Sequence, residues 1–558
     1  MKNIFKILSI IGLLVMSACE TTELDLRENP NNLSAGQEDV DFVLNNIQLE
    51  FVDFIDGTGG QGDGFGRIGA ELCRIDYLFG RNYTNAYGPA GFDDEWTTAY
   101  ADMISDIRLL TPSAEEQELY VHVGIAKTLE AFTLVTLVDF FGDVPYTEAV
   151  SEEFPNPLRD SGADVYASAL TLLDEAIANF NLEASALPDI DFYYNNDVSK
   201  WIKAANTIKM KIYLQSRLVD PSAMDSFNAI VNSGNYITSS SDDFQFGAWG
   251  TNEVQPDVRH PRYTESYTVN GGIDYMSNWL MNTMLVDNDP RIRYYFYRQV
   301  SETPNNDNPN EQTLQCSVQS VPVHYQNTPF ADIWCSLPNG YWGRIHGSNE
   351  GIPPDGFLRT LAGVYPAGGA FDDDRFQALG QGDGAAGAGA ITPIILASTV
   401  DFYKAEMAMA NGDMGSAKTF MLDGLQKSVA KVSTFASNDP TADLSFEPTA
   451  EDIADHAADV AARFDDADTD EDRWNVLAEQ FFVNLYGNGI DGYNFYRRTG
   501  YPTTVAPNVE PNPGAFIRSL FYPANHVNNN INVTQKESVT QQVFWDNNPP
   551  SPGFPVQN

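Results

Sequence analysis

Cysteine and histidine are scarce in this chain of 558 residues, with four of the first and six of the second. No CxxC pair and no Cys/His cluster stands in the sequence, so nothing has the ligand spacing of a zinc site. HExxH and GxSxG are also missing, and with them the usual metalloprotease and nucleophile-elbow signatures. Basic residues are few: 32 Lys and Arg stand against 77 Asp and Glu, a formal charge of -45. Such a surface repels nucleic acid, whose phosphates are held by Lys and Arg. It also repels anionic lipid headgroups. The charge reads as a solvated exterior, the other reading being attraction for cations or basic ligands. Beyond the N-terminus no apolar run reaches the ~18 residues of a membrane span. The best candidate, 131–141, is short and interrupted by Asp139. Two stretches fit GxGxxG, at Gly57/Gly59/Gly62 and Gly382/Gly384/Gly387. Neither follows an apolar strand in a βαβ unit, so both read as flexible loops rather than dinucleotide sites.

Apolar and aromatic content is ample, at 43% and 12%, enough for a sizeable core. The length allows two to four domains, or one large one with insertions. At the N-terminus Lys2 and Lys6 bound a short basic start, followed by an apolar run over 7–16, the length of a signal-peptide core. Met16-Ser17-Ala18-Cys19 follows and resembles a bacterial lipobox, with cleavage before Cys19 and acylation of its thiol. The alternative is an ordinary signal peptide with an incidental cysteine. Each buried CH2 of an acyl chain contributes about 0.8 kcal/mol, so several chains anchor firmly. Cys316 and Cys335 close a short loop, and outside the cytoplasm they are expected to form a disulfide worth about 2–4 kcal/mol. Cys73 is then unpaired and reads as a small buried residue.

Residues 20–34 form a polar tether. Helical periodicity begins near Asp39, and helices are expected over 96–110, 115–141, 164–180 and 197–218. The helix over 164–180 is the clearest, with Tyr166, Ala169, Leu170, Leu173, Ala176, Ile177 and Phe180 on one stripe and Ser161 as its cap. Residues 242–389 are rich in Gly, Pro, Asn and aromatics and read as long loops, short strands and a helix near 275–287. Helices over 394–410 and 415–432, joined at Asn411-Gly412-Asp413, make a helical hairpin of tetratricopeptide type. The last long helix is expected over 471–485.

Chemistry-bearing clusters are weak. The acidic run 465–472 suggests calcium but lacks the glycine of an EF-hand loop, so it reads as a solvated acidic turn, as does Asp372-Asp373-Asp374. No cofactor is expected, calcium being the single one left open. Among 77 acidic residues some pairs reach glycosidase spacing by chance, and nothing selects one, so no enzyme activity is expected. Sugars bind through aromatic faces, with Arg, Asn and Asp taking their hydroxyls, and loops rich in these residues are the place to look. Trp249, Trp334, Tyr341, Trp342 and Arg344 lie in the loop-rich segment, and Arg81-Asn82-Tyr83 lies in a loop that reaches the same face. For each, packing under a loop is the alternative. At least one of Trp249, Trp334 and Trp342 is expected to stack on ligand.

Several segments resemble the SusD/RagB family of outer-membrane nutrient-binding lipoproteins. They are DFFGDVPYTEA at 139–149, KWIKAANTIKMKIYL from Lys200, Asp289-Pro290-Arg291, Gly343-Arg344-Ile345-His346-Gly347, Val364-Tyr365-Pro366-Ala367-Gly368-Gly369 and Arg497-Arg498-Thr499-Gly500-Tyr501-Pro502. The resemblance implies a mainly α fold, a tetratricopeptide-like helical-repeat scaffold with a large loop-rich ligand-binding region. It also implies a partner, a TonB-dependent transporter of the SusC type in the outer membrane, to which oligosaccharide is delivered without chemistry. Some relatives take peptides instead, and peptide or another non-sugar nutrient is the alternative ligand here. The expected organisation is a signal peptide (1–18), a lipid-anchored tether (19–38), an N-terminal helical scaffold (39–240), a binding region (241–392) and a C-terminal hairpin with closing segment (393–558).

Overall fold

The structure, a computed structural model, describes residues 39–57, 64–80, 82–302, 320–348 and 358–555. The unit that begins at Val40 opens with helix α1, Val40–Asp56, which buries Val43, Leu44, Ile47, Phe51 and Phe54 at steps of three and four. Helix α2 is Gly64–Leu72. The helix expected over 96–110 is a composite: a short turn, a π-helical stretch Thr98–Ile104, then α3, Ser105–Glu116. The long helix expected from 115 starts later. Glu118 takes a left-handed φ of 57°, which breaks the chain before α4, Tyr120–Phe141.

Helix α4 is apolar enough and long enough to cross a membrane, yet 94% of its most apolar window is buried inside the protein. It is the central core helix. Thr128, Thr133 and Thr136 donate to carbonyls one turn back at 2.8, 3.0 and 2.9 Å, so their hydroxyls are satisfied within the core. Gly142, at φ 81°, ends it. Against α4 lies α5, Gly162–Phe180, capped by Ser161 as expected, its Oγ accepting from Asp164 N at 3.2 Å. Then come α6, Val198–Ser216, and α7, Ala223–Ser233. Trp201 on α6 is buried, its Nε1 donating to Asp191 at 2.9 Å.

The middle of the chain is loop-rich, as expected. Its regular pieces include β1 (Phe244–Phe246), α8 (Asn278–Val286), β2 (Phe296–Tyr297), β3 (Leu361–Ala362) and β4 (Thr392–Ile395). The strands form two antiparallel pairs, β1 with β4 (Phe244 opposite Ile395) and β2 with β3 (Phe296 opposite Ala362). Residues 394–395, expected to start a helix, therefore belong to a strand, and α9 is Ala397–Ala410. Its hairpin partner α10 is Met414–Val432, capped by Asp413. A Cβ at Gly424 would stand 3.0 Å from the Phe402 ring, the close approach that the small residues predict. The longer helices that follow include α11 (Ala450–Asp465), which the sequence reading did not foresee, α12 (Asp470–Asn484) and α13 (Ile490–Thr499).

The segments that carry the family resemblance meet in the interior. The Asp139 carboxylate, fully buried, accepts from Trp545 Nε1 (2.9 Å), Asn494 Nδ2 (2.7 Å) and Gln215 Nε2 (3.3 Å), and from the Tyr166 hydroxyl. Arg497 donates to the Asp139 carbonyl at 2.8 Å. Arg498 grips Glu406 with two bonds of 2.8 and 2.6 Å, and Arg217 adds a third at 3.0 Å. Arg291 folds back on Asp289 and reaches Ser428 at 3.0 Å. Buried charges are tolerated when paired and hydrogen-bonded; Arg498–Glu406 ties α13 to α9, and Arg291 reaches α10 through Ser428.

Two loop readings are corrected. Residues 380–389 are packed, not flexible: Ala385 and Gly387 donate to the carbonyls of Gly369 and Gly368 at 3.0 Å, and a Cβ at Gly384 would meet Gly369 at 2.6 Å. Asp372 and Asp373 are buried rather than solvated. Arg298 binds Asp372 at 2.7 Å, Arg375 binds Asp373 at 2.7 Å and Arg293 binds Asp374 at 2.9 Å. The acidic run 465–472 is largely exposed, and Thr469 with Asp472 forms the capping box of α12. Cys73 is a free buried thiol and Cys335 is disulfide-bonded, while Cys316 and Cys19 lie outside the described residues.

Candidate functional site

Three loop segments converge on Tyr275. The stretch after α2 runs close to 341–348: Gly347 N donates to the Leu78 carbonyl at 3.0 Å, the Tyr77 hydroxyl donates to the Ser348 carbonyl, and the Tyr83 hydroxyl lies 3.2 Å from His346 Nε2. Arg344 N is bonded to the Met276 carbonyl at 2.9 Å, which sets Arg344 beside Tyr275. The Arg344 guanidinium stands 4.2 Å from the Tyr275 ring centroid and donates to its hydroxyl at 3.0 Å. Arg359, from the third segment, places its guanidinium 3.8 Å from the same ring and donates to the Ile273 carbonyl at 3.1 Å. Tyr77 meets Tyr275 edge-on at 5.7 Å. Tyr275 is half-buried; Ile273, two residues before it, and Phe79, two residues after Tyr77, are 61% and 55% exposed.

Behind this face lies a charged support. Arg67 pairs with Asp274 at 2.9 Å and with Glu265, and Arg262 pairs with Asp76 at 2.6 Å. Burial lifts the Asp76 carboxyl above the ordinary carboxylate range, against the pull of the Arg262 guanidinium. These groups hold the loops; Tyr275, Phe79 and Ile273 are what the surface offers. With guanidiniums over its ring, Tyr275 keeps its edge for contact, while the Arg344 and Arg359 N–H groups can donate to sugar hydroxyls and Phe79 and Ile273 offer apolar surface, with no bond made or broken.

The expected site residues fall in different places. Arg344 is at the centre of the cluster, and the loop of Asn82 and Tyr83 does reach the same face. Asn82 itself caps the short helix Tyr83–Ala86, accepting from Asn85 N at 3.0 Å. Arg81 lies outside the described residues. Tyr341 and Trp342 are only 2% and 1% exposed, so neither ring offers a face to ligand, a correction to their reading as stacking platforms. The Tyr341 ring is occupied by Arg298 at 4.8 Å, and Trp342 N donates to Thr360 Oγ1 at 2.9 Å. Trp249 and Trp334 are half-buried against the core. Trp249 packs on Phe246 at 5.0 Å and donates from Nε1 to Thr392 Oγ1 at 3.0 Å. Sequence reasoning missed Tyr275, Arg359, Tyr77 and Phe79; the aromatic alternation at 77 and 79, just before Arg81-Asn82, was the available signal.

Residues 43–322 match a SusD-like family model described as starch-binding associating with outer membrane. Residues 388–544 match a second, described as SusD and RagB outer membrane lipoprotein. The chain belongs to the SusD/RagB family. It is an outer-membrane lipoprotein, and its fold is the mainly helical, tetratricopeptide-like one. Solved SusD structures agree along almost the whole chain. A SusD homologue from Bacteroides fragilis matches with a TM-score of 0.62 at 18% identity, covering 91% of this chain and 99% of that one. A chitin-binding SusD homologue from Flavobacterium johnsoniae matches at 0.63 and 17%, covering 92% and 99%. A SusD/RagB family protein from Bacteroides thetaiotaomicron matches at 0.61 and 17%, covering 91% and 99%. No curated protein matches the sequence.

Proposed function

We propose that this SusD-family protein is a non-catalytic glycan receptor, lipid-anchored through Cys19 at the cell surface. It captures oligosaccharide on the Tyr275 face and delivers it to a SusC-type TonB-dependent transporter. The observation that carries the reading is the Tyr275 ring with Arg344 and Arg359 at 4.2 and 3.8 Å, with exposed Ile273 and Phe79 on the segments that bring Tyr275 and Tyr77 together. The chitin-binding relative with the same fold agrees with a saccharide ligand. Trp249 and Trp334, half-buried, remain proposed ligand contacts. Residues 39–240 and 393–558 serve as the scaffold and 241–392 as the binding region.

The test is calorimetry of the protein from Glu20 onward against neutral and anionic oligosaccharides, chitooligosaccharides included. Saturable heat with one sugar, weakened at least about tenfold in Tyr275→Ala, is the expected result. Heat with peptides alone would replace the glycan reading by the peptide one. Unchanged sugar binding in Tyr275→Ala would move the site elsewhere. Affinity purification from solubilised outer membranes should recover a TonB-dependent barrel, and Cys19→Ala should leave the membrane fraction.

A further inference from the structure

A second concave site lies apart from the Tyr275 face, on the side of the helical scaffold. It is a cleft of about 380 Å³ between the loop that enters α6 and the segment around β1. That volume falls in the ~300–1,000 Å³ range of small-molecule sites. Tyr193 and Tyr194 line it but are nearly buried, their rings packed on Trp201 and Phe244 and their hydroxyls spent on the carbonyls of Gln48 (2.9 Å) and Asp242 (3.0 Å).

The hydrogen-bonding groups of the cleft divide sharply. Of its two acids, Asp191 carries four hydrogen bonds and Asp243 one on each oxygen. Asp191 accepts from the backbone of Tyr193, Tyr194 and Asn196 and from Trp201 Nε1, at 2.8–3.1 Å. Asp243 accepts from Ala397 N at 2.8 Å and from Lys431 Nζ at 2.9 Å. The unused capacity is on donors. Gln245 accepts from Lys431 through Oε1, and among the described residues its Nε2 has no partner. Lys200, half-exposed at the start of α6, lines the same cleft with no carboxylate within 4.0 Å among the described residues; Asp197 is only a longer-range neighbour. Among the described lysines only buried Lys536 shares that lack of a carboxylate partner. Lys127, Lys203, Lys209, Lys211, Lys404, Lys418, Lys427 and Lys431 each pair with an acid.

We propose that this cleft is a subsite for a carboxylate-bearing sugar unit. The Lys200 ammonium and the Gln245 amide take the carboxylate, and Ser240 and Ser241 take ring hydroxyls. Donors without acceptors call for an acceptor-rich ligand, and a carboxylate satisfies an ammonium better than a neutral hydroxyl does. The inference goes beyond the glycan reading of the Tyr275 face and shares no residue with it.

Saturation-transfer NMR on the protein from Glu20 onward tests it, with D-galacturonate and D-galactose as probes. Saturable transfer to galacturonate is expected, at least about tenfold weaker for galactose and for Lys200→Met. Ala248→Trp, which fills the cleft mouth without touching a charge, should abolish it. Tyr275→Ala should leave it intact, so the two sites fail independently. Equal binding of galactose, full binding by Lys200→Met at an unchanged thermal midpoint, loss in Tyr275→Ala, or no saturable transfer would each overturn the proposal.

Discussion

The Lys536 ammonium is buried, donating to Ser519 Oγ at 2.8 Å and standing 4.8 Å from the Tyr522 ring centroid. The Arg159 guanidinium lies over the same ring at 4.7 Å. Burial, and then the charge of Arg497, push the Lys536 pKa down from 10.5 to about 7. The folded state therefore releases a proton that the unfolded chain keeps until pH ~10.5. Between those values the unfolded state binds more protons, so this group's contribution to stability rises with pH. Below pH 7 the penalty is fully present. Lys536→Met removes it, so the variant should gain on the order of 3 kcal/mol over wild type near pH 6.5. That gain should shrink steadily towards pH 10. Urea unfolding of both proteins across that range is the check, and a pH-independent difference would refute it.

At the scale of elements, a close backbone-to-backbone approach joins α2 to the residue before α13. A Cβ at Gly489 would stand 2.1 Å from Ala70 N, and one at Gly69 would stand 2.6 Å from the Gly489 carbonyl. Both obstacles are backbone, so no side-chain rotation relieves them. Gly489→Ala should cost several kcal/mol, towards the upper end of single substitutions, because it pries two buried helices apart. Gly412→Ala is a fair control for glycine loss: it has a left-handed φ of 76° but open space around its Cβ. It should cost about 1 kcal/mol. Thermal melts of the pair separate packing from backbone strain; equal losses would contradict the close approach.

The same scale shows what a single sequence discloses. Strong stripes were legible: α1, α5 and α6 lie within a few residues of their expected places, and Ser161 and Asp413 cap as their spacing suggests. Helix α11 was not legible because it buries only His456, Val460 and Phe464, a thin stripe in an Ala- and Asp-rich segment. The break at Glu118 has no glycine or proline to announce it. The packing of 380–389 was hidden for another reason: its partners Gly368 and Gly369 come from another part of the chain. Burial of Trp342 and the joining of Tyr275, Arg344 and Arg359 are equally non-local. Composition pointed to the right region and the right residue types. Which aromatic keeps a face in solvent is decided by tertiary packing.

For the whole molecule, 77 acidic against 32 basic residues set the electrostatics. Many of the basic groups are drawn inward. Arg291, Arg298, Arg498 and Arg518 are buried with carboxylate partners, so they do little to offset the charge at the surface. The acidic excess is left outside, as on α11 and the 465–472 run, and it repels itself. Salt acts unequally on these two populations. Buried pairs are screened little, whereas exposed like charges are screened once the Debye length falls from ~30 Å at 0.01 M to ~8 Å at 0.15 M. The thermal midpoint of the protein from Glu20 onward should therefore rise by a few degrees over that range, with most of the gain below 0.15 M. Calorimetric scans at four salt concentrations and fixed pH measure it. A falling midpoint would mean that exposed ion pairs such as Lys418–Asp465 and Lys209–Asp174 contribute more than the repulsion they interrupt. The same screening bears on ligand capture. Repulsion from the exterior slows the approach of an anionic glycan at low salt. Its association rate should then rise with salt, while that of a neutral glycan at the Tyr275 face stays flat.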